Sequence, residues 1–408
     1  MKALLPVAGN GTRMYPLGVT TPKALIRILN KPLIEWTLQA LTQNSIDEVV
    51  IVTSAGKFGT QIKEYVEQEI IAKNKFPLKI YLVVQEQQLG TAHVVQVASE
   101  YFGEDEEFIF LYGDDLYGPK NIASVLITPG LVVVGKEVSD PEKWGIFQAD
   151  SSGSLVKVVE KPKEFVGNLA NIGCMKLNGS IFKIFDQLQI TVRGEYEITD
   201  SLQILASQSK VSVLPATDYW IPIGYPWHIL DATEYFLKAQ NSSIEGEIDP
   251  TAQQQGTLVL PKTSKILAGC FLEGNILIGE NVVVGPNARL RGNTVIGDNS
   301  HIGFSVEVKN SVIGQEVRVA HLAYVGDSII GNKVNIAGGT MIANKRHDGQ
   351  SICTPIKGQM VDTHRQKFGT VLGDSVKLGV NTSVYPGRKI WPGLSTRPGQ
   401  IVEKDLTQ

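Results

Sequence analysis

The chain has 408 residues and a mass of 44.5 kDa, too long for one core at roughly 100–200 residues per domain. Hydrophobic residues at 43% and charged residues at 19% exclude a disordered chain, and 38 basic against 41 acidic residues disfavour nucleic acid or an anionic membrane as partner. No apolar run approaches the roughly 20 residues of a membrane span, and Cys174, Cys270 and Cys353, odd in number and far apart, suit a reducing cytoplasm rather than a disulfide or C-x-x-C framework.

In chain order, Ala3–Ala8, Val49–Thr53, Ile80–Val84 and Phe108–Tyr112 read as strands, and Pro32–Gln43 and Thr60–Ile71 carry helical spacing. This alternation predicts an α/β domain over residues 1–240, a mainly parallel sheet with crossover helices. The first strand runs into Ala8-Gly9-Asn10-Gly11-Thr12-Arg13-Met14, then Pro16-Leu17 and Thr21-Pro22-Lys23. A Gly-rich turn after a strand lets backbone N–H groups approach phosphate oxygens. It is not a dinucleotide fingerprint, because the third glycine falls at Met14, and no Gly-Lys-Ser/Thr follows to make a P-loop. Arg13 and Lys23 are two cations that can neutralise a triphosphate during displacement; on spacing alone they read equally as solvated surface residues.

Residues 241–256 are polar and punctuated and read as a linker. From 257 to 408 a six-residue period takes over. Ile278, Val284, Leu290, Ile296, Ile302 and Val308 keep it without a break. It resumes after single-residue slips at Ile313, Val319 and Val325, then at Ile330, Ile336 and Ile342, and returns from Leu372 through Leu378, Val384 and Ile390 to Thr396. A helix of period 3.6 cannot bury such a pattern, and scattered Val-Gly turns do not explain its length. A prism whose sides each hold about six residues, with one aliphatic pointing inward per side, can: a hexapeptide-repeat parallel β-helix. Residues 345–370 break the period, are rich in Lys, Arg, His and Gln, and read as a loop thrown out of the coil, with His347 and His364 solvated.

The N-terminal motif resembles the G-x-G-T-R-(x)n-P-K signature of sugar-1-phosphate nucleotidyltransferases. Gln85 and Leu89-Gly90-Thr91-Ala92-His93 resemble the base-reading segment of uridylyl-transferring members. Tyr112-Gly113-Asp114, Trp144-Gly145, Val159-Glu160-Lys161-Pro162, Asn171-Ile172-Gly173 and Gly194–Asp200 follow in the family's order. The resemblance implies catalytic Arg13 and Lys23; a nucleotide, UTP or dTTP, at Gly9, Gly11, Gln85, Gly90 and Thr91; a sugar 1-phosphate at Gly145, Glu160 and Asn171; and Mg²⁺ on Asp114. It also exposes a departure: Pro222 stands where the family often has a second metal ligand. Asp218 or Asp231 substitutes, or Asp114 and the phosphates hold Mg²⁺, or the activity is impaired.

Residues 286–344 resemble the acetyltransferase half of bifunctional N-acetylglucosamine-1-phosphate uridyltransferase/glucosamine-1-phosphate acetyltransferases, through Ala288–Arg291, Val306–Lys309, His321–Asp327 and Val334–Ile336. That family's C-terminal half is a left-handed β-helix. By resemblance His321 is the general base that deprotonates an amine attacking acetyl-CoA. Arg291 and Lys309 hold the sugar phosphate, and Tyr324, Asn335 and Asn344 position the acceptor. Lys345 departs from the tyrosine usual there, as in archaeal-type fused enzymes. The expected assembly is a cytoplasmic homotrimer. Two rival readings stand beside the bifunctional one: a nucleotidyltransferase with the β-helix as oligomerisation scaffold, and a non-catalytic regulatory protein built from the same domain pair.

Overall fold

The apolar runs of the N-terminal half form a nine-stranded sheet. The structure is a computed structural model and describes all 408 residues. Strand Lys2–Pro6 lies between Glu107–Leu111 and Glu48–Ser54, parallel to both, and Lys79–Gln85 continues the parallel set. Successive side chains point to opposite faces. Ala3, Leu5, Val49 and Ile51 pack with Ile34, Leu38 and Leu41 of helix Leu33–Gln43. Leu4, Val50, Val52 and Phe110 pack with Val94 of helix Thr91–Val97 and Leu202 of helix Ile198–Gln208. Because both faces are buried, these strands read as unbroken apolar runs rather than alternating ones. The helix expected at Thr60–Ile71 forms as Gly56–Tyr65 and continues as a wider turn over Val66–Ile71.

Leu169–Asn178 pairs antiparallel with Glu107–Leu111 and carries Leu131–Glu137 and Gly145–Ala149 on the sheet's far side. Leu155–Glu160 and Val211–Pro215 complete the sheet. From Lys2–Pro6 the chain steps to Glu48–Ser54 and Lys79–Gln85 on one side, then crosses to Glu107–Leu111 on the other. Such a reversal leaves a crevice at the carboxyl ends of the two strands it separates, where open α/β sheets bind ligands. The Gly-rich turn follows Pro6, and Asp114 follows Leu111.

The chain divides into two compact units. Met1–Asn10, Pro22–Leu25 and Leu33–Pro222 form the first; Gly11–Thr21, Ile26–Pro32 and Ile223–Gln408 form the second. In the second, short strands pair in parallel with a distant copy of themselves. Gln253 lies beside Phe271, which lies beside Arg289 and then Glu307, a return of 18 residues. From Glu307 to Tyr324 and on to Met341 the return is 17, which accounts for the single-residue slips in the periodic pattern. The aliphatic residues of that pattern, from Ile278 to Ile390, are buried in one continuous cluster.

Two stretches differ from expectation. Within 241–256, Ser243–Ile244 and Glu247–Ile248 are strands, and Gln253–Leu260 begins there too; all pair into the stack. They form its first rung, largely exposed, and an end rung needs a polar surface, which imitates a linker's composition. Residues 345–370 are an ordered insertion, an antiparallel pair of Cys353–Ile356 with Gln359–Asp362. Ile352, Ile356 and Phe368 are buried, the Thr354 hydroxyl donates to the Gly387 carbonyl at 2.7 Å, and Arg388 donates to that of Cys353 at 2.9 Å. His347 and His364 are exposed. No helix is long and apolar enough to cross a membrane.

Candidate active site

At the switch point, Lys23 Nζ lies 2.8 Å from Asp114 Oδ2 and 3.5 Å from Asp115 Oδ1. The indole of Trp220 donates to Asp115 Oδ2 at 3.2 Å and holds that buried carboxylate in place. Asp114 keeps more of its surface in solvent. The Gly-rich turn is pinned by a residue the sequence reading passed over: Gln88 Nε2 donates to the Ala8 carbonyl at 2.8 Å, and its Oε1 accepts from Asn10 at 2.5 Å. Gln85, at the end of its strand, is buried and reaches His93 Nδ1 at 2.9 Å and the Gly90 carbonyl at 3.2 Å. Gly90 has φ of 99°, and a Cβ there would lie 2.5 Å from the Tyr196 carbonyl, so only glycine fits. Thr91 Oγ1 accepts from the Ile198 amide at 3.0 Å and ties this segment to Gly194–Asp200. Arg13, exposed, lies over the Tyr225 ring at 5.5 Å.

Oxygen donors suit a hard divalent cation. No trio of His, Cys, Asp or Glu converges to hold one, so a cation on Asp114 would draw its other ligands from phosphate and water. Of the alternatives to Pro222, Asp218 accepts from the Lys120 and Tyr219 amides at 3.2 and 2.8 Å. Asp231 is ion-paired with Arg365. Both carboxylates are already engaged.

A second group lies on the antiparallel strands. Gly145 and Glu160 are cross-strand partners, and a Cβ on Gly145 would sit 2.8 Å from Glu160 Oε2. Asn171 Oδ1 accepts from the Gly173 amide at 2.8 Å. Arg193 bridges two carboxylates, at 2.6 Å from Glu197 and 3.4 Å from Glu160.

In the stack, aligned rungs bring Arg291, Lys309, Tyr324 and Asn344 into one polar patch. Arg291 Nε donates to Glu307 at 2.6 Å, Lys309 Nζ to Asp327 Oδ2 at 3.0 Å, and Asn344 Nδ2 to the Tyr324 hydroxyl at 3.0 Å and to Asp327 at 2.5 Å. Asp327, buried, is the hub. His321 and Asn335 are exposed, and no hydrogen bond joins either to this patch. Asn335 belongs to a different sheet, beside Arg318 and Lys377. The His321 ring occupies space left by Gly338, whose Cβ would lie 2.7 Å from Nε2.

Residues 2–239 match the model of the nucleotidyl transferase family, and 272–392 that of the GMPPB C-terminal domain. Over 411 residues, all of this chain and 98% of the relative, it is 33% identical to a bifunctional sugar-1-phosphate nucleotidylyltransferase/acetyltransferase of Sulfurisphaera tokodaii. This chain belongs to that family. A bifunctional protein GlmU of Methanococcus vannielii is 34% identical over 412 residues, covering 100% of this chain and 96% of its own. A solved UDP-glucose pyrophosphorylase complexed with UDP-glucose shares the fold alone, with TM-score 0.53 and 24% identity over 59% of this chain and 99% of its own. As a family member the chain is an enzyme, a sugar-1-phosphate nucleotidylyltransferase, which removes the non-catalytic reading.

Besides Gln88, the sequence reading gave no role to Asp115, Arg193, Glu197, Glu307 or Asp327. Asp115 could have been suspected from its place beside Asp114; the others show their importance only through partners. Glu197 has a measurable consequence. Burial pushes its carboxyl up to about 7; Arg193 pulls it down, and Glu160 and Glu195 raise it. An unfolded glutamate titrates near 4.5. Across that window the folded chain holds a proton the unfolded chain has released, so this group's contribution to stability falls as pH rises from about 4.5 to about 7. Asp200, raised by burial and by Glu160, has the same sign. Melting temperatures from pH 4.5 to 8 should show a shallower decline in Glu197→Gln than in the native chain; equal slopes would contradict this assignment.

Proposed function

We propose that the enzyme transfers a uridylyl or deoxythymidylyl group from UTP or dTTP to a sugar 1-phosphate. We propose also that it acetylates an amino-sugar 1-phosphate such as glucosamine 1-phosphate, with acetyl-CoA as co-substrate. The observation that carries the first activity is Lys23 bridging Asp114 and Asp115 at the switch point. A sugar-phosphate oxygen attacks the α-phosphorus in line, and the bond to pyrophosphate breaks; positioning and charge neutralisation suffice, with no covalent enzyme intermediate. Lys23 and Arg13 counter the phosphate charge, the backbone at Gly9 and Gly11 cradles phosphate oxygens, and Gln85, Gly90 and Thr91 receive the base. Gly145, Glu160 and Asn171 hold the sugar, with Arg193 and Glu197 setting the charge around Glu160. Magnesium bound at Asp114 would supply further charge neutralisation at the phosphates.

For the second activity, the amine nitrogen attacks the thioester carbonyl carbon, His321 accepts the amine's proton, and the carbon–sulfur bond breaks to release CoA thiolate, which takes its proton from His321 or solvent. Arg291 and Lys309 receive the acceptor's phosphate, and Tyr324, Asn335 and Asn344 orient it. We read residues 1–240 as the nucleotidyltransferase domain and 241–408 as a left-handed hexapeptide β-helix whose first rung lies in 241–256, in a cytoplasmic protein. Within one chain no hydrogen bond joins His321 or Asn335 to the Arg291–Lys309 patch, and Asn335 lies on another sheet; we read the assembly as a homotrimer whose neighbouring copies complete the site. Light scattering at micromolar concentration should give three chain masses; a monomer would contradict this.

The test is a pyrophosphate-release assay across four nucleoside triphosphates and several sugar 1-phosphates, with thiol release from acetyl-CoA in parallel. Turnover should favour UTP or dTTP, and glucosamine 1-phosphate should release thiol. A preference for ATP or GTP would overturn the base assignment. Pyrophosphate without thiol from any amino sugar would leave the stack as a scaffold, a reading that Lys345, paired through its backbone with Lys367, already motivates.

A further inference from the structure

We infer that Asp374, on a rung of the C-terminal stack, is a positioning residue for nucleotidyl transfer: through Thr20 it holds the loop that carries Arg13 and leads into Lys23. The inference rests on the proposed roles of those two cations.

Asp374 has two separable jobs. Its Oδ1 accepts from the Asn332 amide at 2.7 Å. This is a corner duty repeated along the stack: Asp298 accepts from the Glu280 amide at 2.9 Å, and Asn332 from the Gln315 amide at 2.9 Å. Asn332 shows that the corner needs one oxygen and no charge. The second oxygen of Asp374 accepts from the Thr20 hydroxyl at 2.7 Å, across 354 residues of sequence. A carboxylate oxygen accepting a hydroxyl makes a stronger hydrogen bond than a neutral pair.

The tie is reinforced on the other flank of Lys23. Asn30, in the turn between strands Arg27–Ile28 and Lys31–Pro32, donates to the Ile296 carbonyl of another rung at 3.1 Å, and Arg27 donates to the Asn30 carbonyl at 2.5 Å. Both Gly11–Thr21 and Ile26–Pro32 thus belong to the compact unit of the stack, and Pro22–Leu25 lies between them in sequence. Cations that neutralise a developing charge act only when pre-positioned, and a displacement of about 1 Å can cost 100-fold. On this reading the stack contributes to the first reaction through the loop that carries Arg13.

The test uses the full-length enzyme. Thr20→Val keeps the side-chain shape and removes the donor; kcat for pyrophosphate release should fall about tenfold, with KM for the nucleotide, thiol release and melting temperature at native values. Thr20→Ser should restore kcat. In a double-mutant cycle, Thr20→Val together with Asp374→Ala should cost less than the sum of the two single losses. A Thr20→Val enzyme with native kcat, or losses that track melting temperature and thiol release alike, would overturn the inference. A native enzyme that releases no pyrophosphate would instead sink the proposed function.

Discussion

Lys23→Ala is expected to lower nucleotidyl transfer 100-fold or more, on the order of 3 kcal/mol of transition-state stabilisation, while thiol release in the same preparation stays at the native rate. Lys23 contacts both carboxylates that follow strand Glu107–Leu111. Its charge does two things at once. It keeps Asp114 and Asp115 tolerable as neighbours, and it offers a fixed cation where phosphate charge must be accommodated. Alanine removes both, and lysine's flexible point charge has no substitute in the turn. Because Lys23 is largely buried, part of any loss could arise from unfolding; thiol release guards against this, since a misfolded chain loses both activities. Arg13→Ala should lower the same activity in the same direction. Near-native pyrophosphate release in both variants would dismiss the two-cation account.

His321→Ala is expected to do the converse: a loss of thiol release of about 100- to 10,000-fold, with pyrophosphate release near native. His321 is exposed at a corner of the stack; on geometry alone it could be an ordinary surface residue. Gly338 gives a second handle. A methyl group there would lie 2.7 Å from His321 Nε2 and displace the ring, so Gly338→Ala should impair thiol release without touching any acceptor group of the Arg291–Lys309 patch. If both variants release thiol at the native rate, His321 is not the base. If the native enzyme releases none from any amino-sugar 1-phosphate, the second site is not an acetyltransferase and its polar patch serves assembly.

What the sequence determined by itself was whatever is written in local periodicity. Unbroken apolar runs mark the sheet strands because burial on both faces demands them. The six-residue beat from Ile278 to Ile390 marks the stacked rungs because each side must send one aliphatic inward, and even the slips register as returns of 17 instead of 18. The Gly-rich turn was legible because it follows a strand, and Asp114, three residues beyond Leu111, was marked by the family resemblance. Composition misled at Ser243–Ile244 and Glu247–Ile248, since an end rung and a linker share the same polar surface. Tertiary structure alone decided how the polar side chains are spent. It committed Asp218 to backbone amides and Asp231 to Arg365, made Asp327 the hub of the second patch, placed Arg193 between Glu160 and Glu197, and joined Thr20 to Asp374. The physical reason is common to all of them: a hydrogen bond or ion pair depends on where two side chains meet, and most of these meet only after long stretches of chain have packed.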